Sequence, residues 1–410
     1  MFLPNTLQPA GSRSIESIGC VILLLACLLV APIAQAELLT VKRVHTIKDF
    51  QTFNGQIIPE VKIGWESYGT LNAAKDNVIL ITHYFTGSSH AAGKYSPDDA
   101  NAGYWDSIIG PGKAIDTNTF FVISVDTLAN LGVNDPNVVT TGPATINPKT
   151  GKHYGLDFPV LTIRDFVNSQ KSVLESLGIQ RLHAVVGASM GSMQAMEWAS
   201  AYPERVDHVI SVIGSVHSDA WSTTALEFWA LPIKLDPAWQ NGNYYGTAGP
   251  VAGLTTSLMA ITHVALHPEY FNQVGAELGH TPLESGPLND IRQDHKITQW
   301  LTQRAQGRAS MMDANHLLYL VRACQLFLSG QRDTLEQGLN NVTAEVLFIP
   351  ANNDLLLMPY HARNAFDIMQ AQGKSVSIAA LHGPLGHLNG VLNIKQHADT
   401  IRDFLRPNQE

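Results

Sequence analysis

The stretch Gly187-Ala188-Ser189-Met190-Gly191 decides the reading of this chain, because it has the form Gly-x-Ser-x-Gly. Ahead of it, Leu182-His183-Ala184-Val185-Val186 is a short apolar run that reads as a buried strand. Behind it, Ser192-Met193-Gln194-Ala195-Met196-Glu197-Trp198-Ala199-Ser200-Ala201 is rich in helix formers until Tyr202-Pro203 stops it. A strand, a sharp turn and a helix would lift the Ser189 hydroxyl above the sheet as a nucleophile. The flanking glycines suit that turn, since a side chain on either neighbour would collide with strand or helix.

A serine hydroxyl is a poor nucleophile until an imidazole removes its proton, and a carboxylate must hold that imidazole's tautomer. The turn therefore predicts an acid and then a histidine further along the chain. Val346-Leu347-Phe348-Ile349-Pro350 reads as a later strand, and Asp354 follows it, on the rim where parallel sheets build their sites. Val376-Ser377-Ile378-Ala379-Ala380-Leu381 reads as the last strand and runs into His382-Gly383-Pro384-Leu385-Gly386-His387. Two histidines compete there. His387 is preferred, because a loop must carry the imidazole back over the serine, while His382 at the strand end suits a structural or rim role.

The anion that forms on an acyl substrate needs two N–H donors. Met190, directly after the nucleophile, is expected to supply one. The other is expected from the loop after the early strand Asn77-Val78-Ile79-Leu80-Ile81-Thr82, which continues as His83-Tyr84-Phe85-Thr86-Gly87-Ser88-Ser89-His90. The Phe85 amide is the nominee, with Tyr84 as the neighbouring alternative. His83 is read as a packed, hydrogen-bonded structural residue.

Further stretches carry a resemblance. They are Tyr68-Gly69-Thr70-Leu71-Asn72, Thr86-Gly87-Ser88-Ser89-His90, and the run from Trp105 through Ile108-Ile109-Gly110-Pro111-Gly112-Lys113 to Asp116. Thr141-Gly142-Pro143-Ala144, Asp157-Phe158-Pro159, Thr162-Ile163-Arg164-Asp165 and Gly187 to Trp198 continue it, and Asp236-Pro237-Ala238-Trp239 with Gly242-Asn243-Tyr244 extends it into a central insertion. In these the chain resembles the homoserine O-acetyltransferase family of the α/β-hydrolase superfamily. The resemblance implies a mostly parallel central sheet with an inserted helical cap, a triad of Ser189, Asp354 and His387, and an oxyanion hole at Phe85 and Met190.

Two positions depart from the family. It places an arginine six residues before the Asp-Pro pair to hold the homoserine carboxylate, and here that position is Ala230. It places an aspartate after the catalytic histidine to hold the substrate amine, and here Leu388 follows His387. Each lost anchor is a charge-assisted contact in a dry pocket, so homoserine is not the expected substrate. Lys234 is the nearby cation that could stand in for the arginine if the cap shifts; nothing replaces the anion.

Residues 1–36 read as a signal peptide. Cys20-Val21-Ile22-Leu23-Leu24-Leu25-Ala26-Cys27-Leu28-Leu29-Val30 forms an apolar core, and Ala34-Gln35-Ala36 is an Ala-x-Ala site with cleavage expected before Glu37. An uncleaved anchor helix is the alternative, although the run is shorter than a full span. Export to the periplasm or medium would separate the enzyme from cytoplasmic acyl-CoA and favour water as acceptor. After cleavage Cys324 alone remains, so no intramolecular disulfide is expected, and its apolar helix-like setting reads as a buried thiol.

The remaining chain is long enough for one core, read as residues 37–215 and 341–410, with a cap over 216–340. In that insertion 251–267 and 311–327 read as helices, and Trp221, Phe228, Trp229 and Trp239 are candidate pocket or cap-core aromatics. A net charge of −9 without a basic stripe argues against nucleic acid and anionic membrane surfaces. Sixteen histidines contain no metal-binding pattern, so neither a catalytic metal nor a cofactor is expected. The loop from Tyr95 to Tyr104 is longer than the fold needs and reads as rim or solvated excursion, with calcium tolerance as a further possibility. Three classes result: an exported serine hydrolase of small or medium esters, an O-acyltransferase with altered acceptor, and a non-catalytic binding protein. The family resemblance adds a homodimer.

Overall fold

Short apolar runs bounded by turns become the central strands of one eight-stranded sheet in the computed structural model, which describes residues 38–406. The segment 1–36, read from sequence as a signal peptide, lies outside those residues. The strands are β1 Arg43–Gln51, β2 Ile57–Tyr68, β3 Val78–Thr82, β4 Phe121–Val125, β5 Leu182–Ala188, β6 Val206–Val212, β7 Glu345–Ile349 and β8 Val376–Ile378. Across the sheet they run β1-β2-β4-β3-β5-β6-β7-β8. β2 is antiparallel to both its neighbours, and every pairing from β4 to β8 is parallel. Helices cover both faces of such a sheet, which is why every residue of β3 and β4 is buried and apolar residues run on without alternation.

The last strand is shorter than its sequence suggests. β8 ends at Ile378, yet the Ala379 and Leu381 N–H groups still donate to the Phe348 and Pro350 carbonyls at 2.9 and 2.8 Å. As an edge strand it has one partner only, and the chain departs from regular geometry while keeping those bonds.

Helix α1, Ile163–Ser176, opens on a capping box between Thr162 and Asp165. Helix α2, Met190–Ala201, lies against β5, β6 and α1 and is buried on every side, which explains its small and apolar residues. Between β6 and β7 come α3 Ala220–Leu235, α4 Val251–Ala265, α5 Pro268–Glu277, α6 Ser285–Asn289, α7 Lys296–Ala309 and α8 Ala314–Gln325. The helical spacing read over 251–267 and 311–327 corresponds to α4 and α8. The next helix, α9 Leu335–Asn340, packs on α2 and on α10 Tyr360–Ala371, so this end of the insertion belongs to the core layer and the cap helices end with α8. Two short helices, α11 Asn389–Leu392 and α12 Ala398–Phe404, are the last among the described residues.

Motif residues in the insertion hold its helices together. Asp236 accepts from the Ala238 N–H at 2.9 Å and from the Gly253 N–H at 2.8 Å, tying the end of α3 to α4. Trp239 donates its indole N–H to Asn315 on α8 at 2.9 Å. The Tyr95–Tyr104 excursion is pinned rather than free: Asp99 accepts from the Tyr95 and Ser96 N–H groups, and the Tyr95 hydroxyl donates to buried Glu66 at 2.5 Å.

Candidate active site

Register brings the strand ends together. Thr82, Gly187 and Ser211 lie side by side on β3, β5 and β6, and Val212 faces Ile349 on β7. Just past them, Ser189 stands at φ 57° and ψ −120°, a strained conformation for a residue with a side chain, with its N–H donating to the Val212 carbonyl at 2.9 Å. The two glycines of the turn have no alternative. A Cβ on Gly187 would sit 2.2 Å from the Gly191 carbonyl oxygen and from Thr82 Oγ1, and one on Gly191 would sit 2.0 Å from the Thr82 carbonyl oxygen. Strand, turn and helix pass too close for a methyl group.

Three sequence-predicted residues meet here. His387 Nε2 lies 2.8 Å from Ser189 Oγ, and His387 Nδ1 lies 2.6 Å from Asp354 Oδ2. The other carboxylate oxygen of Asp354 accepts from the Leu356 and Leu357 N–H groups at 2.8 and 3.0 Å. Asp354 and His387 are almost closed to solvent, and Ser189 is 8% exposed. This arrangement can take a proton from the serine hydroxyl and hold the resulting imidazolium against a carboxylate. His382 stays exposed at the sheet edge, hydrogen-bonded to Asn352 and, through its backbone, to Gln396.

His83 orients the nominated anion-binding loop. The Thr127 N–H donates to its Nε2 at 3.0 Å, so its Nδ1 carries the proton and donates to the Tyr84 carbonyl at 2.8 Å. Full burial lowers its pKa and keeps the ring neutral. The Gly87 N–H binds the same carbonyl at 2.9 Å. With that oxygen held, the N–H of Phe85 across the trans peptide points the other way. Among the described residues neither the Phe85 nor the Met190 N–H has an acceptor, and both residues line the cavity that contains Ser189 and His387.

That cavity encloses about 490 Å³, within the range of small-ligand sites. Its walls are mainly apolar: Leu226 and Trp229 from α3, Ile261 and Ala265 from α4, Leu357, and Leu388 beside the histidine. Trp229 meets Phe85 edge-on, ring centroids 5.4 Å apart. Of the other aromatic candidates, Trp221 and Phe228 lie on the outer surface and Trp239 is engaged with Asn315. Cys324 lines the cavity as a buried thiol whose pKa burial pushes up to about 12, so it stays protonated and inert.

The departures are visible as well. Leu388 is part of the wall, and among the described residues no Asp or Glu lines the cavity. Ala230 is buried in the cap core and does not reach it, and Lys234 does not stand in for the missing arginine: it is paired with Glu227 at 2.6 Å on the outer side of α3. Sequence reasoning missed Arg304 and Arg308 on α7, which do line the cavity. Neither belongs to a motif, and only the packing of α7 against α4 brings them there. Among the described residues the grouping with metal-ligand spacing is His280, Glu284 and His295 in the outer cap, and none of the three lines this cavity.

Known proteins share this fold and much of this sequence. The family model described as alpha/beta hydrolase fold matches residues 78–367. The homoserine O-acetyltransferase of Deferribacter desulfuricans is 35% identical, the match covering 87% of this chain and 93% of the relative. That of Symbiobacterium thermophilum is 36% identical over 86% and 91%. Among solved structures, esterase E22 is 61% identical with a TM-score of 0.89, covering 90% of this chain and 100% of that one. The homoserine O-acetyltransferase from Bacillus anthracis is 36% identical with a TM-score of 0.86, covering 90% and 98%.

Proposed function

The chain belongs to the homoserine O-acetyltransferase family of the α/β-hydrolase fold, and from that premise we propose that it is an exported serine hydrolase that cleaves esters through an acyl-enzyme. The observation that carries this reading is the cavity wall beside His387, where Leu388 stands and no carboxylate of the described residues awaits an amine. The likeness to esterase E22 at 61% identity supports it.

His387 Nε2 takes the proton as Ser189 Oγ attacks the ester carbonyl, and Asp354 holds the ring and stabilises the imidazolium. The Phe85 and Met190 N–H groups receive the oxyanion. Collapse expels the alcohol, which takes its proton from His387. Water, deprotonated by the same ring, then adds to the acyl-enzyme and releases the acid, and Ser189 recovers its proton. The apolar walls bind the acyl or alcohol group by burial and exclude bulk water.

Residues 1–36 direct export and are removed after Ala36; the N-terminus of the mature protein, read by mass spectrometry of periplasmic and medium fractions, tests this. The exposed face of α3, with Trp221, Phe228 and Leu235, supports self-association as a homodimer. The acyltransferase reading has its own support in relatives named homoserine O-acetyltransferase. One experiment separates the two: fluorophosphonate labelling followed by turnover of p-nitrophenyl acetate, beside acetyl-CoA with homoserine. Labelling at Ser189 with ester turnover lost in Ser189→Ala supports the hydrolase. Efficient acetylation of homoserine would replace it with the transferase, and no label on folded protein would remove both.

A further inference from the structure

Arg304 and Arg308 stand one turn apart on α7, and both line the cavity that holds Ser189. Among the described residues neither guanidinium has a carboxylate within ion-pair distance, whereas Lys42, Arg164 and Arg205 all do. Like charges at this spacing on a helix repel each other.

Arg308 is the more telling of the pair. It is partly buried, and its Nη2 donates to two neutral groups on α4, the Leu258 carbonyl at 3.2 Å and the Thr262 hydroxyl. Its Nε is closed off from solvent without an acceptor. Withdrawal from water lowers its pKa, and the nearby charge of Arg304 adds to the effect. A guanidinium withdrawn from water without a counter-ion is an expensive arrangement that packing alone does not call for. Among the described residues no acid lines the cavity, which leaves the compensating charge to a ligand. The chain as a whole carries a net charge of −9, so its field does not draw anions in; a local cation is needed to hold one.

We infer that Arg308, seconded by Arg304, forms an anion subsite of the Ser189 cavity, and that the substrate is an ester bearing a carboxylate. A planar guanidinium matches the two oxygens of a carboxylate. A monoanion is assigned because only Arg308 is withdrawn from water, Arg304 remaining exposed. Both arginines are specificity-determining residues; neither takes part in bond making. The carboxylate can belong to the acyl half, as in a half-ester of a dicarboxylic acid, or to the alcohol half, as in an O-acyl hydroxy acid.

This inference rests on the ester-hydrolase reading, and its test is built to fail separately from it. The rates to compare are those of p-nitrophenyl hemisuccinate against p-nitrophenyl butyrate, and of acetoxyacetate against its methyl ester, in the wild type, Arg308→Met, Arg308→Lys and Arg304→Gln. The wild type should prefer the anionic member of at least one pair in kcat/KM. Arg308→Met should lower that anionic-to-neutral ratio by roughly tenfold to a hundredfold, the range of a lost charge-assisted contact, with Arg308→Lys retaining part of it and Arg304→Gln losing less. Which pair responds identifies the half that carries the charge.

Good turnover of the neutral esters with no preference in either pair, or a ratio unchanged by Arg308→Met, would overturn the subsite while leaving the hydrolase intact. Free coenzyme A competing in an Arg308-dependent way, without any carboxylate preference, would also overturn it. Should no ester be turned over, calorimetry of succinate binding to the wild type and Arg308→Lys decides: loss of affinity in the variant supports the subsite, and absence of binding to the wild type refutes it.

Discussion

Replacing Asp354 by asparagine tests the orientation of the imidazole. One carboxylate oxygen accepts from the Leu356 and Leu357 N–H groups, so in the variant the amide oxygen must stay on that side. The amide nitrogen then occupies the place of Oδ2, 2.6 Å from His387 Nδ1, and offers a donor where the wild type offers an acceptor. His387 can meet it only with an Nδ1 lone pair, which moves its remaining proton to Nε2. Ser189 Oγ, 2.8 Å away, would face an N–H that cannot take its proton. Wrong-tautomer substitutions of this type in serine proteases lower kcat about 10⁴-fold. The same loss is expected here, about 5 kcal/mol of transition-state stabilisation. Because the two backbone hydrogen bonds persist, thermal unfolding should move little. The assay is the rate of p-nitrophenyl acetate hydrolysis beside a melting curve. A folded Asp354→Asn variant within tenfold of the wild-type rate would refute the argument, since the ring would then not depend on this carboxylate for its tautomer.

Other expectations follow from the same packing. Gly187→Ala drives a methyl to 2.2 Å from two atoms that backbone and buried side chain hold in place, so it should cost at least about 3 kcal/mol; a normally stable, active variant would contradict the turn geometry. Trp229→Ala removes the partner of the Phe85 ring and should cost about 3–5 kcal/mol while shifting the preferred ester from acetate toward octanoate. An unchanged chain-length profile would exclude Trp229 from the acyl site. For Glu66, burial acts upward but is outweighed by the His90 hydrogen bond, the Lys42 charge and the Tyr95 hydroxyl, which hold the carboxyl at about 2. A folded pKa below the unfolded one gives stability that is present above about pH 4.5 and is lost as pH falls toward 2. The loss is up to about 3 kcal/mol, and denaturant titrations should show that slope in the wild type and not in Glu66→Gln.

The catalytic half of this fold is legible because its signals are local. Gly-x-Ser-x-Gly reports a steric conflict among atoms of β3, β5 and α2, and the strands carrying Asp354 and leading to His387 announce themselves as apolar runs. Choosing His387 over His382 needed only the reach of a loop. The Tyr84–Phe85 peptide was nominated from its place after β3, but what turns its N–H outward is the bond from His83 to the Tyr84 carbonyl, which no spacing reveals.

Specificity is written differently, and that is why it was harder to read. The cavity wall takes Leu226 and Trp229 from α3, Ile261 from α4, and Arg304 and Arg308 from α7. Amphipathic spacing shows that these segments are helices, but not which face of each turns to the serine. The apolar residues make the point: Trp221, Phe228 and Trp229 share one helix, and only Trp229 enters the cavity. An arginine at position 308 likewise reads as an ordinary solvated cation until α7 is laid against α4, where its neighbours turn out to be a carbonyl, a hydroxyl and no acid. The replacement of a family arginine by Ala230 is visible from sequence, and the nearest cation along the same helix, Lys234, pairs outward with Glu227 instead of filling its place. A pocket can therefore lose a charge on one cap helix and carry one on another without any motif recording the exchange. Substrate prediction in this fold depends on the packing of the cap, while the serine, acid and histidine positions that hydrolases and acyltransferases of the family share can be read from the strand ends.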